Sequence, residues 1–297
     1  MPRTAKAKSR KRAASTAPST ASADEIARFT AIAEAWWDPG GDFRPLHQLN
    51  PVRLEFIRDH VCRHFGRDPL ADKPLRELNV IDIGCGGGLL AEPMRRLGAV
   101  VTGIDAGKET IEVARLHAEQ MGLDIDYRHQ LPEDLGSEKS RYDLVLNMEV
   151  VEHVADLDAF LAASANLVKP GGVMAASTLN RTWKSLALAK IGAEYVLRWL
   201  PPGTHDWQKF VRPSELTAGL ERHGVKITDL RGMSYDPIGA GWRLSDRKST
   251  RLNSSHKPSS YAVVCLIKKK NRSRDISHVR PPVCTPVAYL PSITSPA

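Results

Sequence analysis

From residue 79 onward, short apolar runs alternate with longer stretches in which apolar positions return every three or four residues. The runs Asn79 to Ile83, Val100 to Ile104, Ile125 to His129, Tyr142 to Asn147 and Gly172 to Thr178 have the length of strands, and the sequence predicts them as such. Helical spacing fills the intervals, around Leu89 to Leu97, Lys108 to Gln120 and Leu157 to Leu167. This alternation predicts an α/β fold, a doubly wound, mostly parallel sheet with helices on both faces. Val225 to Met233 reads as a sixth strand, and Pro93 is expected to kink the first helix of the sheet region. Upstream, Ser22-Ala23-Asp24-Glu25 is a capping box, and Ile26, Phe29, Ile32, Ala33 and Trp36 form the apolar face of a helix that ends at Trp36-Trp37-Asp38-Pro39. A second helix is expected to start with Asn50 as its cap and Pro51 at its first position. Arg53, near its start, reads on its own as a solvated surface arginine.

Between the first strand and its helix lies Gly84-Cys85-Gly86-Gly87-Gly88, a strand-turn-helix junction that turns backbone N–H groups toward a ligand. The dinucleotide fingerprint needs a third glycine where Leu89 stands, and Asp82, two residues before the first glycine, would repel a pyrophosphate. A carboxylate there suits a ligand with an ammonium group. Asp105, at the end of the second strand, falls where such folds place an acid on ribose hydroxyls. Together the two acids describe an adenosine that carries an amino acid, S-adenosylmethionine. Cys85 inside the turn reads as a small filler rather than a nucleophile.

A chain of 297 residues is long enough for one large α/β domain with insertions. No apolar run approaches the length of a membrane span, and no signal peptide is visible at the start. Cys62, Cys85, Cys265 and Cys284 have neither CxxC spacing nor the density of a disulfide framework, which points to a reducing intracellular compartment. The formal charge is +8, but residues 1–23 hold six Lys/Arg and no acid, and residues 246–297 hold ten Lys/Arg and two acids. The remaining 26 basic and 32 acidic residues give the middle a net charge of −6, so the basic ends say little about the substrate of the folded domain and no nucleic-acid partner is expected of it; a nucleic-acid-binding protein that uses its basic ends, and a class I methyltransferase of another small molecule, stay open as alternatives. Residues 1–21 have almost nothing to bury and read as a disordered basic tail, with the acid-poor composition that transit peptides also have.

The fourth strand runs into Met148-Glu149-Val150-Val151-Glu152-His153-Val154. Two carboxylates and an imidazole within five residues at a strand end suit a divalent cation, the carboxylates favouring magnesium or manganese and the histidine admitting zinc. The same residues also suit a helix entry in which His153 is a general base or a packing residue.

Several of these segments, with others, match one family. Trp36-Trp37-Asp38, Pro45-Leu46-His47, Asn50-Pro51-Val52-Arg53-Leu54, Asp82 to Gly88, Met148 to Val154, Val168-Lys169-Pro170-Gly171-Gly172, Ser177 to Arg181 and Gly203-Thr204-His205-Asp206 resemble the ubiquinone biosynthesis O-methyltransferases, within the class I S-adenosylmethionine-dependent methyltransferases. The likeness runs from about Glu25 to Leu244. It implies a seven-stranded Rossmann-like sheet and methylation of phenolic or catechol hydroxyls on polyprenylated precursors, 2-polyprenyl-6-hydroxyphenol and 3-demethylubiquinol. Arg53, Gly84, Asp105 and Met148 match the family's cofactor contacts, to which the turn itself adds Asp82 and Gly86. Glu149, Glu152 and His153 match positions that ligate a divalent cation. Coordination would favour the phenolate of a group whose pKa is otherwise near 10. Without a metal, His153 is the expected base and His205 the second.

The insertion at 181–202 mixes Trp183, Leu186, Tyr195 and Trp199 with Lys184, Lys190 and Arg198, a basic amphipathic pattern suited to a membrane interface or to a lid. The resemblance favours peripheral contact with the inner membrane from the cytoplasmic side, alongside other enzymes of the pathway. After about Ser245 it ends. Residues 246–297 look like translated adapter or out-of-frame sequence, so the family's last strand is expected to be missing or replaced, with Tyr261 to Ile267 apolar enough to take its place.

Overall fold

In the computed structural model the described residues are 31–137, 142–179, 211–236, 241–244 and 262–269. The basic N-terminal tail, the capping box at Ser22, the insertion at 181–202 and the Gly203-Thr204-His205-Asp206 segment lie outside them. Residues 31–37 are helical and end at the Trp36-Trp37 pair. Then follow α1 (Arg44–Phe65), β1 (Asn79–Ile83), α2 (Ala91–Arg96), β2 (Val100–Asp105), α3 (Lys108–Gln120), β3 (Asp126–His129), a 3-10 turn (Pro132–Ser137), β4 (Tyr142–Met148), α4 (Leu157–Leu167), β5 (Val168–Leu179), α5 (Pro213–Arg222), β6 (Val225–Asp236), β7 (Gly241–Leu244) and β8 (Ala262–Lys269).

The strands form one sheet in the order β3-β2-β1-β4-β5-β8-β6-β7. The first five are parallel, and the order reverses between β1 and β4, the point where open α/β sheets bind ligands. Alternate residues of each strand serve the two faces. Val80, Leu144, Leu146 and Val173 pack with Phe56, Ile57 and Val61 of α1 and with Met94 and Ile111, while Ile81, Val145, Met174 and Ala176 pack with Phe160, Leu161, Leu216 and Leu220 of α4 and α5.

Three features depart from the expectations. First, the helix expected to begin at Asn50 starts at Arg44, with Pro45 in its first turn and Pro51 inside it. Asn50 does not cap; its Nδ2 donates to the Leu89 carbonyl at 3.3 Å and its Oδ1 accepts from Arg53 Nη1 at 3.3 Å, so the side chain links α1 to the glycine turn. Second, the next helix begins only at Ala91, which puts Pro93 in its first turn, where its missing N–H has no helical partner to lose. Third, among the described residues the sheet has eight strands, where seven were expected. β8, beyond the point where the resemblance ends, runs antiparallel to both β5 and β6, with Cys265 opposite Ala176 and Leu230. β8 thus lies between β5 and β6, and β7 adds a further antiparallel edge on β6.

Candidate active site

The carboxyl ends of β1, β2 and β4 open onto a cavity of about 650 Å³, within the usual range for small-molecule sites. Its wall includes Gly84 and Gly86 of the turn, Asp105 of β2, Leu131 and Glu133 of the loop after β3, and Glu149 and His153 after β4. The glycines are required by their surroundings. A Cβ on Gly84, at φ +68°, would lie 2.4 Å from Val150 Cγ2, and one on Gly86, at φ +53°, would lie 2.8 Å from the ring of Trp36. The turn is pinned to β2, because the Ile104 carbonyl accepts from the N–H groups of Gly84 and Cys85 at 2.8 and 3.0 Å.

Asp105 accepts from the N–H of Gly86 through Oδ2 at 3.1 Å and from the N–H of Gly107 through Oδ1 at 2.8 Å. Each oxygen keeps a second acceptor site, which suits a pair of ribose hydroxyls. Asp82 is buried behind the turn, where the backbone N–H of Ala91 donates to its carboxylate and Oδ2 has no hydrogen-bond partner among the described residues. Burial, reinforced by the neighbouring Asp105 charge and opposed by Arg53, pushes its pKa up to about 7. Burial also raises the Cys85 thiol, helped by Asp82 and Asp105, so Cys85 is an inert filler.

Arg53 is not a surface residue. It is 2% exposed, and its Nη2 forms an ion pair with Oε1 of Glu149. Glu149 is one of two non-glycine described residues at positive φ, 58°, and its N–H donates to the Ser177 carbonyl at 3.1 Å. Met148 is buried at the end of β4 and is not among the wall residues. The wall does include residues that the sequence pattern did not single out as site residues. Trp36 covers Gly86 and Gly87 and stacks on Phe43 at 3.9 Å. Trp37 holds the pair in place: its Nε1 donates to the Gly87 carbonyl at 3.1 Å and its ring stacks on His117 at 3.9 Å. Gln130 lines the cavity with a buried Oε1 that has no partner among the described residues, an acceptor for an exocyclic amine. The signal for Trp36 is the tryptophan pair itself, ending a helix just before the fold begins; Gln130 has no sequence signal.

The expected metal ligands are not gathered. Glu149 and His153 reach the cavity, whereas Glu152 is buried, 4% exposed, and is not among the wall residues. Among the described residues no group of three or more His, Cys, Asp or Glu side chains is placed to hold a metal ion. The physical reason is that Arg53 draws the Glu149 carboxylate to itself.

A methyltransferase domain model matches residues 54–230. A ubiquinone biosynthesis O-methyltransferase of Paramagnetospirillum magneticum is 56% identical over 227 residues, covering 76% of this chain and 91% of that protein. The chain belongs to the ubiquinone biosynthesis O-methyltransferases. Another member, from a Chelativorans species, is 53% identical over 246 residues, 82% of this chain and 97% of that one. A putative sarcosine dimethylglycine methyltransferase of Galdieria sulphuraria, 13% identical, superposes with a TM-score of 0.50 over 74% of this chain and 86% of that one. A Pyrococcus horikoshii protein, also 13% identical, gives 0.51 over 82% and 99%, so these structures share the fold alone. Like its family, the chain is an S-adenosylmethionine-dependent O-methyltransferase.

Proposed function

We propose that this enzyme methylates phenolic and catechol hydroxyls of polyprenylated ubiquinone precursors, 2-polyprenyl-6-hydroxyphenol and 3-demethylubiquinol. The observation that carries the reading is one cavity whose wall combines two kinds of chemistry. Its wall has the glycine turn, Asp105 and Gln130 for the nucleoside, and Asp82 and Arg53, buried behind the wall beside the turn, are the charges proposed for the amino-acid head. The same wall has His153, Glu149 and apolar Val150, Val154 and Phe160 for an aromatic acceptor. The relatives named above act, by their names, in ubiquinone biosynthesis.

The reaction needs positioning and one proton transfer. His153 takes the proton from the acceptor hydroxyl. The phenolate oxygen forms a bond to the sulfonium methyl, the carbon–sulfur bond breaks, and S-adenosylhomocysteine leaves with the electron pair on sulfur. Asp82 holds the cofactor's ammonium and Arg53 its carboxylate, which fixes the methyl group toward the acceptor. A divalent cation on Glu149, Glu152 and His153, magnesium first with zinc or manganese as alternatives, does not fit the arrangement described above, so no step is assigned to it.

Peripheral attachment to the inner membrane through 181–200, and contact with other enzymes of the pathway, complete the proposal. The basic, tryptophan-bearing pattern of that segment supports such a contact; no helix among the described residues is long and apolar enough to cross a membrane. The test is methyl transfer from labelled S-adenosylmethionine to a short-chain prenylated catechol, an unprenylated catechol and an unrelated amine acceptor. Preference for the prenylated catechol supports the reading; methylation of the amine instead would sink it.

A further inference from the structure

Two buried charges of opposite sign lie beside the glycine turn. Asp82 and Arg53 are each 2% exposed, and they are close enough for the guanidinium to oppose the rise in the Asp82 pKa. They are the two partners that the head of an α-amino acid needs, a carboxylate for its ammonium and a guanidinium for its carboxylate. The guanidinium end is already taken. Arg53 Nη1 donates to Asn50, Nε has no partner among the described residues, and Nη2 is paired with Glu149. Glu149 is an unusual partner for a buried arginine. Its side chain is 19% exposed, it lines the cavity, and its backbone sits in the left-handed region that a non-glycine residue seldom adopts.

We propose that Glu149 is a placeholder on Arg53 that the carboxylate of S-adenosylmethionine displaces. This rests on the cofactor reading above. Two carboxylates compete for one guanidinium in a poorly hydrated site, and leaving the cation without either is costly. The incoming carboxylate therefore replaces an existing ion pair and leaves no buried cation unpaired at any stage. Glu149, once released, remains at the cavity wall on the side of His153, where the acceptor hydroxyl arrives. Cofactor binding thus completes the acceptor site, and the order of binding is cofactor first.

The test is calorimetric titration of the full chain, as wild type, Glu149→Gln and Glu149→Ala, with two ligands. S-adenosylhomocysteine has the amino-acid head; 5′-methylthioadenosine has the same nucleoside and sulfur without it. The expected result is that both variants bind S-adenosylhomocysteine about tenfold more tightly than wild type, with 5′-methylthioadenosine affinity unchanged. Unchanged or weaker S-adenosylhomocysteine binding, or an equal gain for both ligands, overturns the exchange and leaves the cofactor reading intact. If wild type binds neither ligand, the cofactor reading fails and the exchange with it. A second measurement needs no variant: affinity of wild type for a short-chain prenylated catechol should rise several-fold under saturating S-adenosylhomocysteine but not under 5′-methylthioadenosine. An equal rise under both contradicts the exchange.

Discussion

Asp82 makes the site sensitive to pH. In the fold its pKa is about 7, against roughly 3.9 in an unfolded chain. The raised value favours the folded state below about pH 4, and that contribution is lost as pH rises through about 7. An ammonium group on Asp82 reverses the preference, because it favours the ionised carboxylate. S-adenosylhomocysteine binding is therefore expected to release a proton at pH 6 and none at pH 8.5, measurable by calorimetry in buffers of different ionisation enthalpy. Affinity should fall by up to about tenfold per pH unit below 7, and Asp82→Asn should flatten that dependence. The glycine turn offers a second test. Gly84→Ala sets a Cβ against Val150 and holds a left-handed φ, so it should lower the melting temperature by roughly 3–8 °C. Adding Val150→Ala should recover part of that loss, since it removes the clash but not the backbone strain.

At the scale of elements, β8 has the most consequence for stability. It is hydrogen-bonded on both sides, to β5 and β6, so a proline there removes a ladder donor from the interior of the sheet. Cys265→Pro is expected to lower the melting temperature by roughly 5–10 °C in a thermal melt; an unchanged melt would show that the sheet does not depend on this strand. The parallel half of the sheet was legible because its strands are short apolar runs, and Lys108–Gln120 and Leu157–Leu167 have the bounds that the helical spacing predicts. The start of α1 was not legible, because Asn50 has the chemistry of a cap and is instead held inside the helix by Arg53, one turn on, and by the Leu89 carbonyl, 39 positions away and brought close only by packing. The site divides in the same way. Asp82, Gly84, Gly86 and Asp105 follow from local turn geometry, whereas the burial of Arg53 and its hold on Glu149 depend on contact between residues 96 positions apart.

For the whole molecule, charge and chemistry are separated. The acidic middle carries the cavity, while the basic excess belongs to the two ends. The proposed division is a basic tail to residue 21, a methyltransferase domain over 22–245 and a remainder from 246, of which β8 joins the sheet between β5 and β6. Removal of residues 1–23, which hold six of the sixteen Lys/Arg at the two ends, should weaken any salt-sensitive retention on nucleic acid and leave S-adenosylhomocysteine affinity unchanged, as gel shift and calorimetry can check. The most direct test of the central claim is titration of S-adenosylhomocysteine into the full chain beside an Asp105→Ala variant. Saturable one-to-one binding, weakened at least about tenfold in the variant, is the result predicted. No binding by a folded wild-type sample, or equal binding by the variant, would contradict the placement of the cofactor in this cavity.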